Sequence, residues 1–512
     1  MAPGKSRRKV ELGDFQTPPA LARAVVDVLV RDGLRPASLL EPTCGTGSLL
    51  LAALERFASV EHALGLDCNR GSLRTARASL RALRTTAHCE LREADFFAVE
   101  WASCLAALPD PLLVIGNPPW VTNAALGRLG SDNLPPKSNA GRLPGLAALT
   151  GRSNFDISQW MLERSLEWLA GRRATLAVLC KTQVARRLLE RAWTDRAPLA
   201  AAELYRIDAA AHFGASVDAC LLVVSSSAGP PARECRVHPT LDRRASPGET
   251  PSFGLRAGRL VSDVAAHGRW AHLAGTSPAP WRWRSGIKHD CVRVMELRET
   301  ASGLVNGLGE RVEVEPELLF PLCKSAQLGS DAAPHRSERR WLLVPQRTTG
   351  ENTDALAERA PLAWAYLCRH GERLDARRSA IYRGRARFAV FGVGPYSFAP
   401  WKVAISGLYK RLRFRVLGPV AGRPSVLDDT AYGLPCRSES EAHFLLELLE
   451  SAPAQEFFAA RVFWDAKRPI TVGLLSQLDL AKLAGELGRA RQLARLAGPA
   501  RGRPSASAPP HG

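Results

Sequence analysis

Between Leu12 and Val224, short apolar runs alternate with amphipathic helical patterns, and a mostly parallel sheet covered by helices is the arrangement that buries both. The strand-like runs are Ser38–Glu41, Ala63–Leu66, Leu112–Ile115, Thr175–Leu179 and Cys220–Val224. Helical patterns fill the gaps at Ala20–Val30, Leu49–Phe57, Ser72–Leu83, Ile157–Leu169 and Val184–Trp193. Leu162, Leu166 and Leu169 mark the buried side of the fourth. At 512 residues the chain suits two or three domains rather than one. A Pro/Gly/Ser concentration from Ser225 to Pro231, repeated from Ala245 to Pro251, reads as a join. The expected order is a basic tail over 1–11, an α/β domain over 12–226, a linker over 227–254, a mixed α+β domain over 255–490 and a disordered tail over 491–512. Inside the first domain, Gly127–Arg152 is a long Gly-, Pro-, Asn- and Ser-bearing insertion, expected to be either functional or disordered.

Composition bounds the partners. Hydrophobic content of 46% with 23% charged residues is globular. Runs such as Leu21–Val30 are broken by Arg23 and Asp27, so no membrane span is expected. The basic start at Lys5, Arg7, Arg8 and Lys9 has no apolar core behind it, which argues against a secretory signal and for a cytoplasmic protein. The 11 cysteines are dispersed, without Cys-x-x-Cys spacing or a histidine cluster, so reduced thiols and no metal are expected. Lys+Arg of 69 against Asp+Glu of 50 gives a net charge of +19, a field that attracts polyanions and puts nucleic acid first among partners. Arginine- and alanine-heavy usage from a GC-rich genome is the bland alternative.

Three strand ends carry candidate ligand groups. Leu39-Leu-Glu-Pro-Thr-Cys-Gly-Thr-Gly-Ser-Leu-Leu50 is a strand entering a glycine turn and then a helix. Gly45 and Gly47 let the backbone approach a ligand, and the helix beyond offers free N–H groups. The segment lacks the Gly-Lys-Ser/Thr of a phosphate loop and the third glycine of the dinucleotide fingerprint. Glu41 would repel a pyrophosphate but suits the cationic amino-acid end of S-adenosylmethionine. A plain strand-to-helix turn competes with that reading. Asp67 ends the next strand, where a carboxylate can bond ribose hydroxyls. Asp95 follows another, placed to accept from an adenine amino group while Phe96 stacks on the ring; a solvated acid and a core aromatic are the competing readings.

The most specific element is Leu112-Leu-Val-Ile-Gly-Asn-Pro-Pro-Trp120, a buried strand ending in Asn-Pro-Pro-aromatic. An exocyclic amine on a base or an amide is a poor nucleophile because its lone pair is delocalised. The side-chain carbonyl of Asn117 and the main-chain carbonyl of Pro118 can accept its two N–H bonds and leave the lone pair aimed at a methyl donor. Pro118 and Pro119 fix the backbone and remove a donor. Trp120 offers a face for a planar substrate. Catalysis of this kind is positioning and needs no base of shifted pKa.

Together these residues resemble the adenine-N6 DNA methyltransferases of bacterial restriction–modification systems. The family's motifs are matched in order by Phe15-Gln-Thr-Pro-Pro19, Glu41-Pro-Thr-Cys-Gly-Thr-Gly47, Asp67, Asp95-Phe96 and Asn117-Pro-Pro-Trp120, in the arrangement called gamma. The resemblance implies a Rossmann-like class I S-adenosylmethionine-dependent methyltransferase domain followed by a target-recognition domain. It implies cofactor contacts from Thr17, Glu41, Thr43, Gly45, Gly47, Asp67, Asp95 and Phe96, with Asn117, Pro118, Pro119 and Trp120 catalytic. Thr17 as a cap of the helix opening at Pro18 is the alternative there. The family usually has Tyr or Phe in place of Trp120, which keeps the stacking role and alters the pocket. Ala211–Leu221 is similar to a late motif whose aromatic holds the extruded base, making Phe213 the candidate; an ordinary core Phe is the competing reading. In Gly151–Gln159, Asp156 and Gln159 have helix-capping spacing. In the second half, Tyr396–Arg411 and Phe463–Thr471 look like recurrent stretches of large family members, and Lys402, Lys410, Arg411, Lys467 and Arg468 are placed among aromatics to meet phosphates.

The activity implied is methyl transfer to N6 of an adenine rotated out of duplex DNA. Any cleaving partner is expected to be a separate restriction endonuclease, because only about ten residues precede the first motif. Two alternatives stay open: a methyltransferase acting on an RNA base or a protein glutamine, since Asn-Pro-Pro-aromatic occurs there too, and a catalytically silent DNA-binding specificity subunit that preserves the fold.

Overall fold

The computed structural model describes residues 16–120, 157–226, 231–242, 251–277, 281–330 and 339–497; Phe15, Gly127–Arg152 and Asp156 lie outside the described residues. The chain divides into two compact units, Met1–Ala265 and Ala266–Gly512.

The first unit is built on β1 (Ser38–Glu41), β2 (His62–Asp67), β3 (His88–Glu93), β4 (Leu112–Gly116), β5 (Ala174–Lys181), β6 (Leu199–Ile207), β7 (Ala219–Ser226), β8 (Glu234–His238), β9 (Ser252–Arg256) and β10 (Arg259–Val261). They form one ten-stranded sheet in the order β10-β9-β8-β6-β7-β5-β4-β1-β2-β3. β1 pairs in parallel with both β2 and β4, β2 with β3, and β4 with β5, while β7 runs antiparallel between β5 and β6. Chain order reverses at β1, so the crevice beyond the carboxyl ends of β1 and β4 is where such a sheet receives a ligand.

Helices α1 (Pro19–Arg31), α2 (Ser48–Arg56), α3 (Arg70–Ala82), α4 (Trp101–Ala106), α5 (Ile157–Glu167), α6 (Thr182–Thr194) and α7 (Ala209–Phe213) cover the sheet. Leu21, Val25, Val28 and Leu29 of α1 are buried in one core with Leu49 and Leu50 of α2, Leu39 of β1 and Ile115 of β4. Each such side chain contributes about 1.5–3 kcal/mol on burial, which holds the β1 and β4 ends in fixed register beneath α1 and α2. β1 and β4 are buried along their whole length, as strands covered on both faces must be.

Two expected boundaries differ. The span 227–254 contains β8 and the start of β9, which join the first unit's sheet beside β6 with Cys235 and His238 buried. At the other end, Ala490–Ala497 is helical and Leu493 is buried against neighbouring helices, so disorder cannot start at 491.

The second unit contains β11 (Arg284–Ser285), β12 (Glu296–Thr300), β13 (Gly303–Val305), β14 (Leu319–Cys323), β15 (Arg340–Leu343), β16 (Trp401–Ser406), β17 (Phe414–Leu417), β18 (Val426–Leu427) and β19 (Ala431–Cys436). They make a four-stranded antiparallel sheet, β11-β19-β16-β17, and a five-stranded mixed sheet, β13-β12-β15-β14-β18. The helices Glu439–Glu450 and Ala452–Ala459 bring Leu445, Leu448, Phe457 and Phe458 into a core with Val403 and Ile405 of β16. Among the described residues, no helix is long and apolar enough to cross a membrane.

Lys402 does not reach toward phosphate: it is 4% exposed in β16, and its Nζ donates to the Ala399 carbonyl at 2.6 Å. Burial pushes its ammonium down to about 7. The folded chain then holds a neutral amine where the unfolded chain, with an ordinary value of about 10.4, stays protonated, so this group's contribution to stability rises with pH from about 7 to about 10.4. Lys402→Met is expected to stabilise the protein at pH 7 and to remove a slope of up to about 1.4 kcal/mol per pH unit across that window. Denaturant titrations of both proteins between pH 6 and 10 measure this, and parallel curves would refute it.

Candidate active site

The carboxyl ends of β1, β2, β4, β5 and, through α7, β6 converge on one edge of the first unit's sheet. The glycine loop lies above β1. Gly45 and Gly47 have φ of +53° and +82°, left-handed conformations that a side chain would strain. Space is as tight as conformation: a Cβ on Gly45 would stand 2.6 Å from Gln16 Oε1, and one on Gly47 3.2 Å from the Ala76 Cβ. The Cys44 N–H donates to the Leu66 carbonyl at 2.7 Å, tying the loop to β2. Thr43 is half-buried within it.

Asp67 braces the loop from the end of β2. Its Oδ2 accepts from the Gly45 N–H at 2.8 Å and its Oδ1 from the Asn69 N–H at 2.7 Å. Glu41 is a closed carboxylate. It is 3% exposed, and its Oε2 accepts from the Leu50 N–H at 3.0 Å, beneath the loop. Burial, reinforced by the nearby Asp67 charge and opposed by the Leu50 bond, holds its carboxyl well above the usual carboxylate range. A cation close above the loop would draw it back toward the ionised form.

Beyond β3, Asp95 is exposed and accepts from the Phe97 N–H at 2.9 Å. Phe96 does not offer an open face: it is 6% exposed, 4.9 Å between ring centroids from Trp101 and 5.9 Å from Trp168. The turn points Phe96 into this aromatic core, where its carbonyl accepts from Trp101 Nε1 at 3.0 Å. The adjacent Phe97 is only half-buried.

Asn117 follows β4 directly. Its Nδ2 donates to Thr17 Oγ1 at 3.2 Å, and its Oδ1 is shielded from solvent. Thr17 is itself buried and makes no capping bond to α1, whose N-cap is Pro18. Because Nδ2 is committed to Thr17, the amide is fixed with its oxygen as the acceptor toward the other side. Pro118 is buried and Pro119 half-buried, which keeps the turn rigid.

Trp120 is held by both ends of its own residue. Its Nε1 donates to the Leu179 carbonyl at 3.4 Å, and its carbonyl accepts from Lys181 Nζ at 3.1 Å. The expected open stacking face is covered, since Trp120 is 6% exposed and meets Phe213 edge to face, with ring centroids 5.1 Å apart. The structure thus brings Trp120 and Phe213, distant in sequence, into contact. Gln159, expected in a cap, instead donates from Nε2 to Glu163 one turn along α5.

Two residues at this edge escaped the sequence reading. Lys181 anchors the end of the Asn-Pro-Pro-Trp turn, and Gln16 Oε1 accepts from the Thr46 N–H at 3.0 Å and the Thr46 hydroxyl at 2.9 Å. Lys181 carries no mark in the local pattern, whereas Gln16 lies inside the matched Phe15-Gln-Thr-Pro-Pro19 segment. Gln16 stood beside the matched Thr17, which was the available hint.

The strand order, the left-handed glycine loop and the acid bracing it define a class I S-adenosylmethionine-dependent methyltransferase domain, and S-adenosylmethionine is the cofactor of that class. No protein-family model matches the chain. It is 40% identical over 481 residues to the Type II methyltransferase M.NspV of Nostoc sp., a match spanning 93% of this chain and 98% of the relative. The chain belongs to the Type II methyltransferases. Its fold is similar to that of the Type IIL restriction-modification enzyme MmeI, solved in complex with DNA, with a TM-score of 0.50 at 12% identity over 92% of this chain and 65% of that one.

Proposed function

We propose that the enzyme is the modification component of a restriction–modification system and methylates N6 of an adenine rotated out of duplex DNA, with cleavage left to a separate endonuclease. The observation that supports this reading is the Asn117–Thr17 bond, which commits Nδ2 of the amide, so that Oδ1 would be the atom to accept from an incoming amine. S-adenosylmethionine, when bound, supplies an electrophilic methyl group on a sulfonium. Asp67 would take its ribose hydroxyls, Gly45 and Gly47 would let its chain lie against the backbone, and Glu41 would answer its cationic end. Asp95 would meet the adenine amino group of the cofactor, alongside Thr43 and Thr17 as the remaining contacts of the resemblance.

Asn117 Oδ1 and the Pro118 carbonyl accept the two amine hydrogens, which withdraws the lone pair from the ring and directs it at the donor. Pro119 and Lys181 hold the turn still. An extruded base would have to part Trp120 from Phe213 and use both rings as walls. Extrusion costs a few kcal/mol, which contacts to the DNA must offset.

The test offers duplex DNA, RNA and a protein glutamine substrate in parallel with labelled S-adenosylmethionine. N6-methyladenine in the DNA digest is the expected product. Label appearing in RNA or protein alone would favour the other acceptors, and absence of both transfer and cofactor binding would favour a silent specificity subunit.

Thr17→Val is expected to slow single-turnover transfer roughly 10- to 100-fold, because one orienting hydrogen bond of about 1–3 kcal/mol is lost. A stopped-flow or quench comparison under saturating cofactor measures it; an unchanged rate would mean that Thr17 does not set the amide.

A further inference from the structure

In the second unit, the segment from the helix Gly371–Asp375 to Phe388 folds around a cavity of about 390 Å³. Arg377, Arg383, Arg385 and Arg387 line it beside Tyr382, and Asp375 is the one carboxylate in its wall. The four guanidinium groups are in different states. Arg387 forks onto Asp375, with Nη2 to Oδ2 at 2.7 Å and Nε to Oδ2 at 3.1 Å, and the two charges cancel.

Arg377 lies over the Tyr382 ring, 3.8 Å from its centroid. It donates to the carbonyls of Leu374 at 2.7 Å, Ala389 at 2.8 Å and Arg387 at 2.8 Å. Those carbonyls fix its direction, and the charges of Asp290 and Asp375 lie near it. Arg383 and Arg385 are exposed, and among the described residues their side chains make no hydrogen bond or ion pair. Between them Gly384 has φ of +67° and nothing within 4 Å of a Cβ position, so the turn stands clear of its surroundings.

Arg383 and Arg385 thus add two cations without an ion-pair partner among the described residues to a cavity whose lining carboxylate, Asp375, is already forked onto Arg387. A fold gains nothing from such crowding, since like charges repel and surface arginines reach acidic partners easily. The arrangement suits an anion that brings its own acceptors, and guanidinium forks match phosphate oxygens two at a time. Of the basic residues expected from sequence to meet phosphates, Lys402 is buried, Arg468 sits 3.5 Å from Asp429 Oδ2 and Arg411 donates to the Gly329 carbonyl, while Lys410 and Lys467 are exposed.

We propose that this arginine cavity seats backbone phosphates of duplex DNA, with Arg377 on Tyr382 as its fixed wall and Arg383 and Arg385 as arms that close on the phosphates. The assignment rests on the duplex-DNA reading above. It makes the site a source of affinity and register rather than of sequence choice.

Fluorescence anisotropy with mixed-sequence duplex DNA at 50–300 mM salt tests it, on the full chain. Arg383→Ala/Arg385→Ala is expected to weaken binding about tenfold or more and to reduce the slope of log affinity against log salt by about 1.8, for two phosphates released. Arg383→Lys/Arg385→Lys is expected to keep most of that slope, because lysine retains the charge. A steep wild-type slope left unchanged in the alanine variant overturns the cavity and leaves the duplex reading standing. A lysine variant no better than alanine also overturns it. Wild-type protein showing no salt-dependent duplex binding would sink the DNA reading itself, and the cavity assignment with it.

Discussion

Asn117→Ala should abolish methyl transfer, by about a thousandfold or more in single turnover, while S-adenosylmethionine still binds. The loss corresponds to about 4 kcal/mol of transition-state stabilisation, the size expected when an oriented acceptor is removed from a shielded site. Binding should survive because the side chain of Asn117 reaches Thr17, whereas the glycine loop is braced by Asp67 and Gln16. Asn117→Asp keeps an oxygen but loses the donor to Thr17, so it should fall between alanine and wild type. Quenched-flow rates beside calorimetric cofactor titrations separate the two effects. An alanine variant that transfers at the normal rate would remove Asn117 from the chemistry.

Asp67→Ala should produce the opposite pattern, with cofactor affinity falling about a hundredfold or more, or roughly 2.7 kcal/mol. The substitution deprives the N–H groups of both Gly45 and Asn69 of their acceptor and removes the group that would bond the ribose. Asp67→Asn restores one acceptor and should recover part of the affinity. Calorimetry provides the measurement, and a modest drop in thermal midpoint should accompany it. Unaltered affinity in the alanine variant would show that the loop needs no brace and that the ribose is held elsewhere.

The strands read from sequence were those sealed on both faces. β1, β4 and β5 are almost uniformly buried, and a continuous apolar run marks them. β3 could be placed only by the motif that follows it, because His88–Glu93 is a largely solvated edge strand without an apolar run. Two-residue strands such as Arg284–Ser285 and Val426–Leu427 exist only through pairing with distant partners, so the second unit's sheets leave no periodic trace.

In the site, residue type was legible and direction was not. Asp67 and Asn117 follow from strand-end position, but whether Phe96 or Phe97 faces the core is decided by one turn and by packing against Trp101 and Trp168. Burial of Glu41 depends on α2 folding back to offer the Leu50 N–H. Lys181 matters because β5 ends beside Trp120, a proximity that only the assembled sheet creates.

Gln16 and Thr17 are consecutive, yet one grips Thr46 and the other Asn117. A single peptide unit is therefore the common anchor of the glycine loop and of the Asn117 amide. Whatever tilts that unit would move both together, much as two arms on one spindle turn as one.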